Sequence, residues 1–383
     1  MSSNKITEEL NLQQEVIDIP KEKKVKVLSR RQKIWIRFKK HKFGLVGGIV
    51  ALAFILISLF APFFSPYDYT KPAYEEAFMP PQEIHFIDEN GNFSLRPHFY
   101  KMTMGFNEET WGREFVEDTS QKYPILFFAR GWDYKLWGVF KSNIHLFTVE
   151  NPGTIYLFGT DKLGRDLFSR IIFGSRVSFF VAIAGALIIG IVGSIIGAIS
   201  GYFSGKVDLI VQRVIEIFQL FPTLPLMMAL SAAIPATWHV MYRLVGIIIV
   251  MTIVQWTYLA REVRALVLSY REEDFVIAAK ALGERDLIIV LKHVIPNCFS
   301  HIIVVMTLTI PGLIIAESSL SFLGLGIKTP MVSWGVLLQQ ASNLQTIGQY
   351  PWIMIPGFFI FLTVLSVNFF GDGIRDAIDP HSN

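Results

Sequence analysis

No residue between Arg176 and Lys206 carries a charge. The intervening stretch, 177–203, exceeds the roughly 20 residues a helix needs to cross the hydrocarbon core of a bilayer. A chain in hydrocarbon must satisfy every backbone N–H and C=O internally, and an α-helix is the local way to do so. Gly185, Gly190, Gly193 and Gly197 recur within the stretch. Small residues at such spacing let a second helix approach its backbone closely.

Other stretches repeat the pattern. Apolar runs at 44–64, 215–236, 244–259, 302–323 and 352–370 bring the expected number of spans to six. With 52% hydrophobic and 17% charged residues, the 383-residue chain holds more apolar mass than a soluble domain usually buries. Its net charge of +3 is too small to argue for a nucleic-acid partner. A single cysteine, Cys298, excludes an intrachain disulfide and a zinc–cysteine cluster.

Arg30, Arg31, Lys33, Arg37, Lys39, Lys40 and Lys42 precede the first run. Such a block holds the N-terminal side in the cytosol, and the run behind it is too long for the core of a cleaved signal. Alternation then places 204–208, 261–300 and the C-terminus inside the cell. Arg261, Arg264, Arg271, Lys280, Arg285 and Lys292 in one inner loop agree with that orientation.

The region 65–175 is too long for a plain connection and reads as a small extracellular mixed domain. Alternation at 154–158 suggests a strand. Trp111, Tyr123, Trp132, Tyr134 and Trp137 supply aromatic mass for a core, the alternative being a peptide-binding platform. Asp161, Arg165 and Asp166 cluster before the second span, as an interfacial cap with salt bridges or as an external gate contact.

The inner loop 262–300 contains a docking-type element. Asp274 is placed to cap a short helix through Phe275, Ala278, Ala279, Ala281 and Leu282, with Glu272 and Glu273 at its positive end. Gly283 suits the left-handed turn that ends it. Ala278, Ala279 and Ala281 would let a partner's groove approach the backbone. A second short segment, 287–291, follows before Pro296 punctuates the next helix. An ordinary surface helix with a glycine cap has the same local pattern.

Two features lie at membrane depth. Glu317 falls about 22 Å along the fifth span, so it faces the bundle interior as a hydrogen-bonded structural residue or lines a path. Pro222, Pro225 and Pro235 in the third span act as a hinge or as a static kink.

Catalytic signals are sparse. The chain has no phosphate-binding loop ending in Gly-Lys-Ser or Gly-Lys-Thr, no His-Glu-x-x-His run and no paired cysteines, so no catalytic or metal residue is assigned. The serines of Gly174-Ser175 and Gly193-Ser194 raise an intramembrane protease as a rival, but no companion histidine sits in a neighbouring span. A passive channel is a further alternative, against which the docking element argues.

Several blocks together carry a family resemblance. They are Phe158-Gly159-Thr160-Asp161-Lys162-Leu163-Gly164-Arg165-Asp166, Phe221-Pro222, the segment from Phe275 to Pro296, Leu320-Ser321-Phe322-Leu323-Gly324-Leu325-Gly326, and the end from Gly371 to Pro380. With them, the chain resembles the C-type permease subunit of oligopeptide and dipeptide ABC importers. One position departs from the pattern: Ile277 stands where the family's Glu-Ala-Ala triplet begins, so the contact that acid makes to an ATPase is either absent or supplied by Glu272, Glu273 or Asp274.

The resemblance implies an all-α integral membrane protein of six transmembrane helices with the extracellular insertion. Its parts are a basic tail at 1–42, a first helix at 43–64, the insertion at 65–175, a five-helix core at 176–371 and a tail at 372–383. It also implies a non-catalytic permease in a bacterial cell membrane, with both termini cytosolic. The implied partners are a second permease, two ATP-binding subunits holding ATP and Mg, and an extracellular peptide-binding lipoprotein. Oligopeptide is the substrate expected, with dipeptide or nickel chelate as the alternative.

Overall fold

The protein is described here by a computed structural model covering residues 29–88, 91–106 and 113–378. Trp111, the tail at 1–28 and the closing residues from Asp379 lie outside the described residues.

Among the described residues, five helices are long and apolar enough to cross a membrane, and a bent pair makes a sixth when taken as one span. Helix α1 (Arg30–Lys40) begins with a reciprocal capping box between Ser29 and Gln32 and precedes the first span. Helix α2 (Lys42–Leu59) stops at Phe60, and α3 (Ala61–Phe64) adds one turn with proline near its start. Helix α4 (Leu167–Phe203) is the uncharged stretch extended backwards by more than two turns. It starts earlier than the charges at Arg170 and Arg176 suggest because Asp166 caps it. The carboxylate accepts the Ser169 N–H at 2.8 Å and the Phe168 N–H at 3.3 Å.

The third span differs from expectation. Helix α5 (Gly205–Leu220) follows α4 after a break at Ser204 alone, so the inner loop expected at 204–208 is helical. Helix α6 (Thr223–Ala232) turns away from α5 by 88°. The bend lies at Phe221 and Pro222, both with extended backbone, because proline disfavours the helical conformation of the residue before it. Pro225 sits in the first turn of α6, where its missing N–H disrupts no helical bond, and Pro235 lies beyond the helix.

Helix α7 (Val240–Tyr270) continues past the apolar run through the charged residues Arg261 and Arg264. Two short helices, α8 (Asp274–Ala281) and α9 (Asp286–Ile289), lead into α10 (Ile295–Phe322). Pro296 does not separate α10 from what precedes it. The turn Val290–Val294 widens so that the Ile295 N–H reaches Val290 O, five residues back, and one continuous rod runs from Asp286 to Phe322. Helices α11 (Trp334–Leu338) and α12 (Leu344–Gln349) fill the last connection before α13 (Ile355–Ile378).

Helix α4 packs along α7 and α10, and α2 packs along α13. Glycines set the closest approach. A Cβ on Gly197 would lie 2.4 Å from Ala260 O, one on Gly201 2.8 Å from Arg264 O, and one on Gly193 3.1 Å from Trp256 O. These residues recur every four positions, so one face of α4 lies directly on the α7 backbone.

The insertion is a β unit. Strands β1 (His85–Ile87), β2 (Phe93–Phe106), β3 (Arg113–Phe127) and β6 (Phe147–Val149) form an antiparallel sheet in that order. Strands β4 (Arg130–Leu136) and β5 (Phe140–Ile144) form a separate hairpin. The sheet's core is Phe99, Ile125, Phe147 and Ile155. Of the expected aromatic residues, Tyr134 is buried, Tyr123 stacks on Phe99, and Trp137 is exposed. Residues 154–158 are not a strand, because their N–H groups meet side chains. Ile155 donates to Tyr67 Oη at 2.8 Å and Tyr156 to Gln82 Oε1 at 2.6 Å.

The loop 159–166 locks this unit to the bundle. Asp161 is buried and accepts from Arg165 Nη2 at 2.7 Å and from the Leu163 N–H at 2.8 Å, with Arg170 Nε 3.4 Å away. Trp352 Nε1 donates to Thr160 O at 3.1 Å. Of the cluster expected here, Asp161 pairs with Arg165, whereas Asp166 caps α4 and forms no salt bridge among the described residues.

Candidate functional site

Helix α8 ends as its glycine requires. Gly283 has φ +78°, its N–H bonds Lys280 O, and the Glu284 N–H bonds Ala279 O, the paired bonds of a Schellman turn. Its start differs from expectation. Glu273 holds the cap position without a side-chain bond, and Asp274 sits one residue inside, where its charge complements the helix dipole.

The exposed face differs as well. Val276 and Ala279 point inward, so Ala279 is not on the free surface, although Ala278 and Ala281 are. Large side chains dominate that surface: Phe275, Ile277, Leu282, Leu287, Ile288 and Leu291 are all exposed. Ile277 thus offers apolar surface at the position that departs from the family pattern. Glu272, Glu273 and Asp274 lie exposed beside it.

What fixes this segment was not assigned from sequence. Tyr202, near the end of α4, donates its hydroxyl to Asp286 Oδ1 at 2.6 Å, and Lys280 Nζ stands 4.8 Å from the centre of its ring. Arg264 on α7 grips Asp208 on α5 with two bonds, Nε to Oδ1 at 2.5 Å and Nη2 to Oδ2 at 2.6 Å. Arg271 Nη1 donates to Ser204 Oγ at 2.5 Å, bracing the break between α4 and α5. Glu284 accepts from or pairs with His293 Nε2 at 2.7 Å and has Lys292 3.8 Å away. The available signal was an acid, Asp286, just beyond the glycine turn, but its partner lies 84 residues away.

Glu317 is fully buried inside a ring of hydroxyls. Ser321 and Ser333 each donate to Oε1 at 2.7 Å, and Ser178 donates to Oε2 at 3.2 Å. These bonds join α10 to α4 and to the start of α11. Ser178 Oγ also accepts the Trp334 N–H at 3.3 Å, and Trp334 Nε1 donates to Ile171 O at 3.0 Å. A carboxylate so surrounded satisfies its acceptors where water is excluded, and it clamps three elements.

A separate cavity of about 700 Å³ opens at the α5–α6 bend. Phe221, Thr223, Gln255, Tyr258, Thr309 and Ala316 are among its lining residues, whereas Glu317 turns away from it. Pro222 therefore shapes the cavity wall by placing the bend.

Residues 193–383 match the family described as binding-protein-dependent transport system inner membrane component. The Oligopeptide transport system permease protein OppC of Bacillus subtilis (strain 168) is 32% identical over 356 residues, covering 93% of this chain and 91% of that protein. The chain belongs to this family.

Other inner membrane components of such systems agree. The Dipeptide transport system permease protein DppC of Lactococcus lactis subsp. cremoris (strain MG1363) is 33% identical over 362 residues, covering 93% of this chain and 92% of its own length. The Oligopeptide transport system permease protein OppC of Haemophilus influenzae is 43% identical over 226 residues, covering 59% and 70%. Residues 29–81 match the N-terminal TM domain of oligopeptide transport permease C. The segment from α8 to α10, Glu317 and the α5–α6 bend all fall within the larger match, while the sheet from β1 to β6 lies outside both.

Proposed function

We propose that this chain is one permease subunit of an ATP-driven peptide importer and forms half of the translocation pathway with a second permease. The observation that carries the reading is the near full-length similarity to peptide permeases, joined to a braced segment with an exposed apolar face. In this account, ATP-binding subunits dock on Phe275, Ile277, Ala278, Ala281, Leu282 and Leu287, with Glu272, Glu273 and Asp274 supplying charge. ATP and Mg are held by those subunits. Motion of the α8–α9 segment is carried by Tyr202–Asp286 into α4 and by the continuous rod into α10, a two-state rearrangement that opens and closes the path.

The cavity at Phe221 is the proposed stretch of that path, and Glu317 the fixed strut beside it. Both termini and the α8–α9 segment lie in the cytosol of a bacterial cell, and the β unit faces outward, where a peptide-binding lipoprotein delivers substrate. Oligopeptides are the proposed substrates. Dipeptides are the second reading, favoured by the 33% identity to a dipeptide permease.

Uptake of labelled peptides graded in length, compared between cells with and without the chain, tests this directly. ATP-dependent entry of peptides longer than two residues supports the first reading, entry of dipeptides alone supports the second, and no chain-dependent uptake overturns both.

A further inference from the structure

The turn between β4 and β5 has an unusual build. Trp137 and Gly138 both take positive φ, +51° and +77°, and the Val139 N–H closes the turn on Leu136 O at 3.1 Å. Glycine accepts that conformation readily, but a bulky aromatic residue does not. Trp137 is held there from outside the hairpin. Its Nε1 donates to Leu59 O at 3.1 Å, and its ring lies 5.4 Å from that of Phe60. These two residues end the first membrane helix.

The tip is apolar and uncovered. Trp137 is 48% exposed, Val139 72% and Phe140 62%, and the nearby Phe128, whose ring lies 6.2 Å from Phe63, is 67% exposed. On α2, Leu52, Leu56 and Leu59 form an exposed stripe on a face that a bilayer covers. This stripe leads directly to Trp137. One residue behind the tip, Lys135 and Lys141 are paired across the two strands. Like charges placed opposite each other are unfavourable. Asp133 lines the same groove as the two lysines, but neither lysine makes an ion pair among the described residues.

We infer that the β4–β5 hairpin is a membrane anchor: Trp137, Val139 and Phe140 enter the bilayer interface beside the end of α2, and Lys135 and Lys141 engage anionic phospholipid headgroups. Aromatic residues favour that depth, and paired cations behind an apolar tip are drawn to anionic lipid. The anchor fixes the β unit against the bilayer at a point separate from the loop 159–166.

The test uses the full chain in its assembled complex, placed in phosphatidylglycerol nanodiscs with and without headgroup-proximal spin-labelled lipid. Val139→Cys, and independently Phe140→Cys, is labelled with an environment-sensitive fluorophore; the native Cys298 is buried, and the unsubstituted chain gives the background. The expected result is blue-shifted emission that spin-labelled lipid quenches by roughly twofold, with the quenching reduced when Lys135→Glu and Lys141→Glu are added. Emission at the water value at both positions overturns the inference. So does a blue shift that spin-labelled lipid leaves unchanged, because a protein partner then covers the tip. Equal quenching with and without the lysine changes removes the headgroup contact.

Discussion

Tyr202 and Asp286 are joined by a 2.6 Å hydrogen bond between the end of α4 and the start of α9. The bond ties the proposed docking segment to the membrane helix α4. Tyr202→Phe removes the hydroxyl and keeps the ring against Lys280, so the loss of stability is expected to be about 1 kcal/mol. Peptide transport per ATP hydrolysed is expected to fall further than that loss alone implies. Measuring both rates in reconstituted complexes checks the point, and an unchanged ratio would remove Tyr202 from the coupling route.

Glu317→Ala leaves the hydroxyls of Ser321 and Ser333 without their acceptor in a buried site, at an expected cost of about 3 kcal/mol. Glu317→Gln keeps one acceptor oxygen and is expected to cost less. Thermal unfolding in detergent, followed for both variants, should show this order.

Helix contact predicts a contrast between glycines. A Cβ on Gly197 would lie 2.4 Å from Ala260 O, whereas one on Gly348 meets nothing within 4 Å. Gly197→Leu is expected to separate α4 from α7 at a cost of about 3 kcal/mol, and Gly348→Ala to be neutral within about 0.5 kcal/mol. Yield of monodisperse protein together with unfolding temperature distinguishes them.

Much of this arrangement was legible in the sequence, for identifiable reasons. Absence of charge marks hydrocarbon regardless of partners, so 177–203 and most spans were readable. Gly283 was readable because one residue at one φ decides the turn. Helix ends in polar regions were not, since Asp166 starts α4 through a side-chain bond and α7 continues through Arg261 and Arg264. The serine ring around Glu317 escaped because Ser178, Ser321 and Ser333 come from separate elements and an isolated serine has no periodic signature. Ala279 misled for a related reason: a small residue suits either a docking face or a tight interior contact, and tertiary packing made it the latter.

Acid should weaken the sheet around His98, where β2 lies between β1 and β3. Burial, with Lys122 and His85 nearby and Asp88 opposing them, lowers the His98 pKa below its ordinary 6.5. The folded state therefore binds this proton less readily than the unfolded chain. Its full stability is present above that ordinary value and is lost as pH falls from there through the lowered one. Hydrogen exchange at Phe99 and Tyr100 should speed up on acidification beyond the intrinsic pH dependence, and His98→Phe should remove that excess.

Docking of ATP-binding subunits on the exposed face of α8 is tested most directly at Leu282. Leu282 is 88% exposed, so Leu282→Asp changes that face without disturbing the core. Tagged wild type and Leu282→Asp are purified from native membranes in mild detergent, and the accompanying subunits are quantified by mass spectrometry. ATP-binding subunits are expected with the wild type and depleted about tenfold by the variant, a loss of roughly 1.4 kcal/mol, while the second permease is retained. Equal recovery of ATP-binding subunits with both proteins would contradict docking on that face.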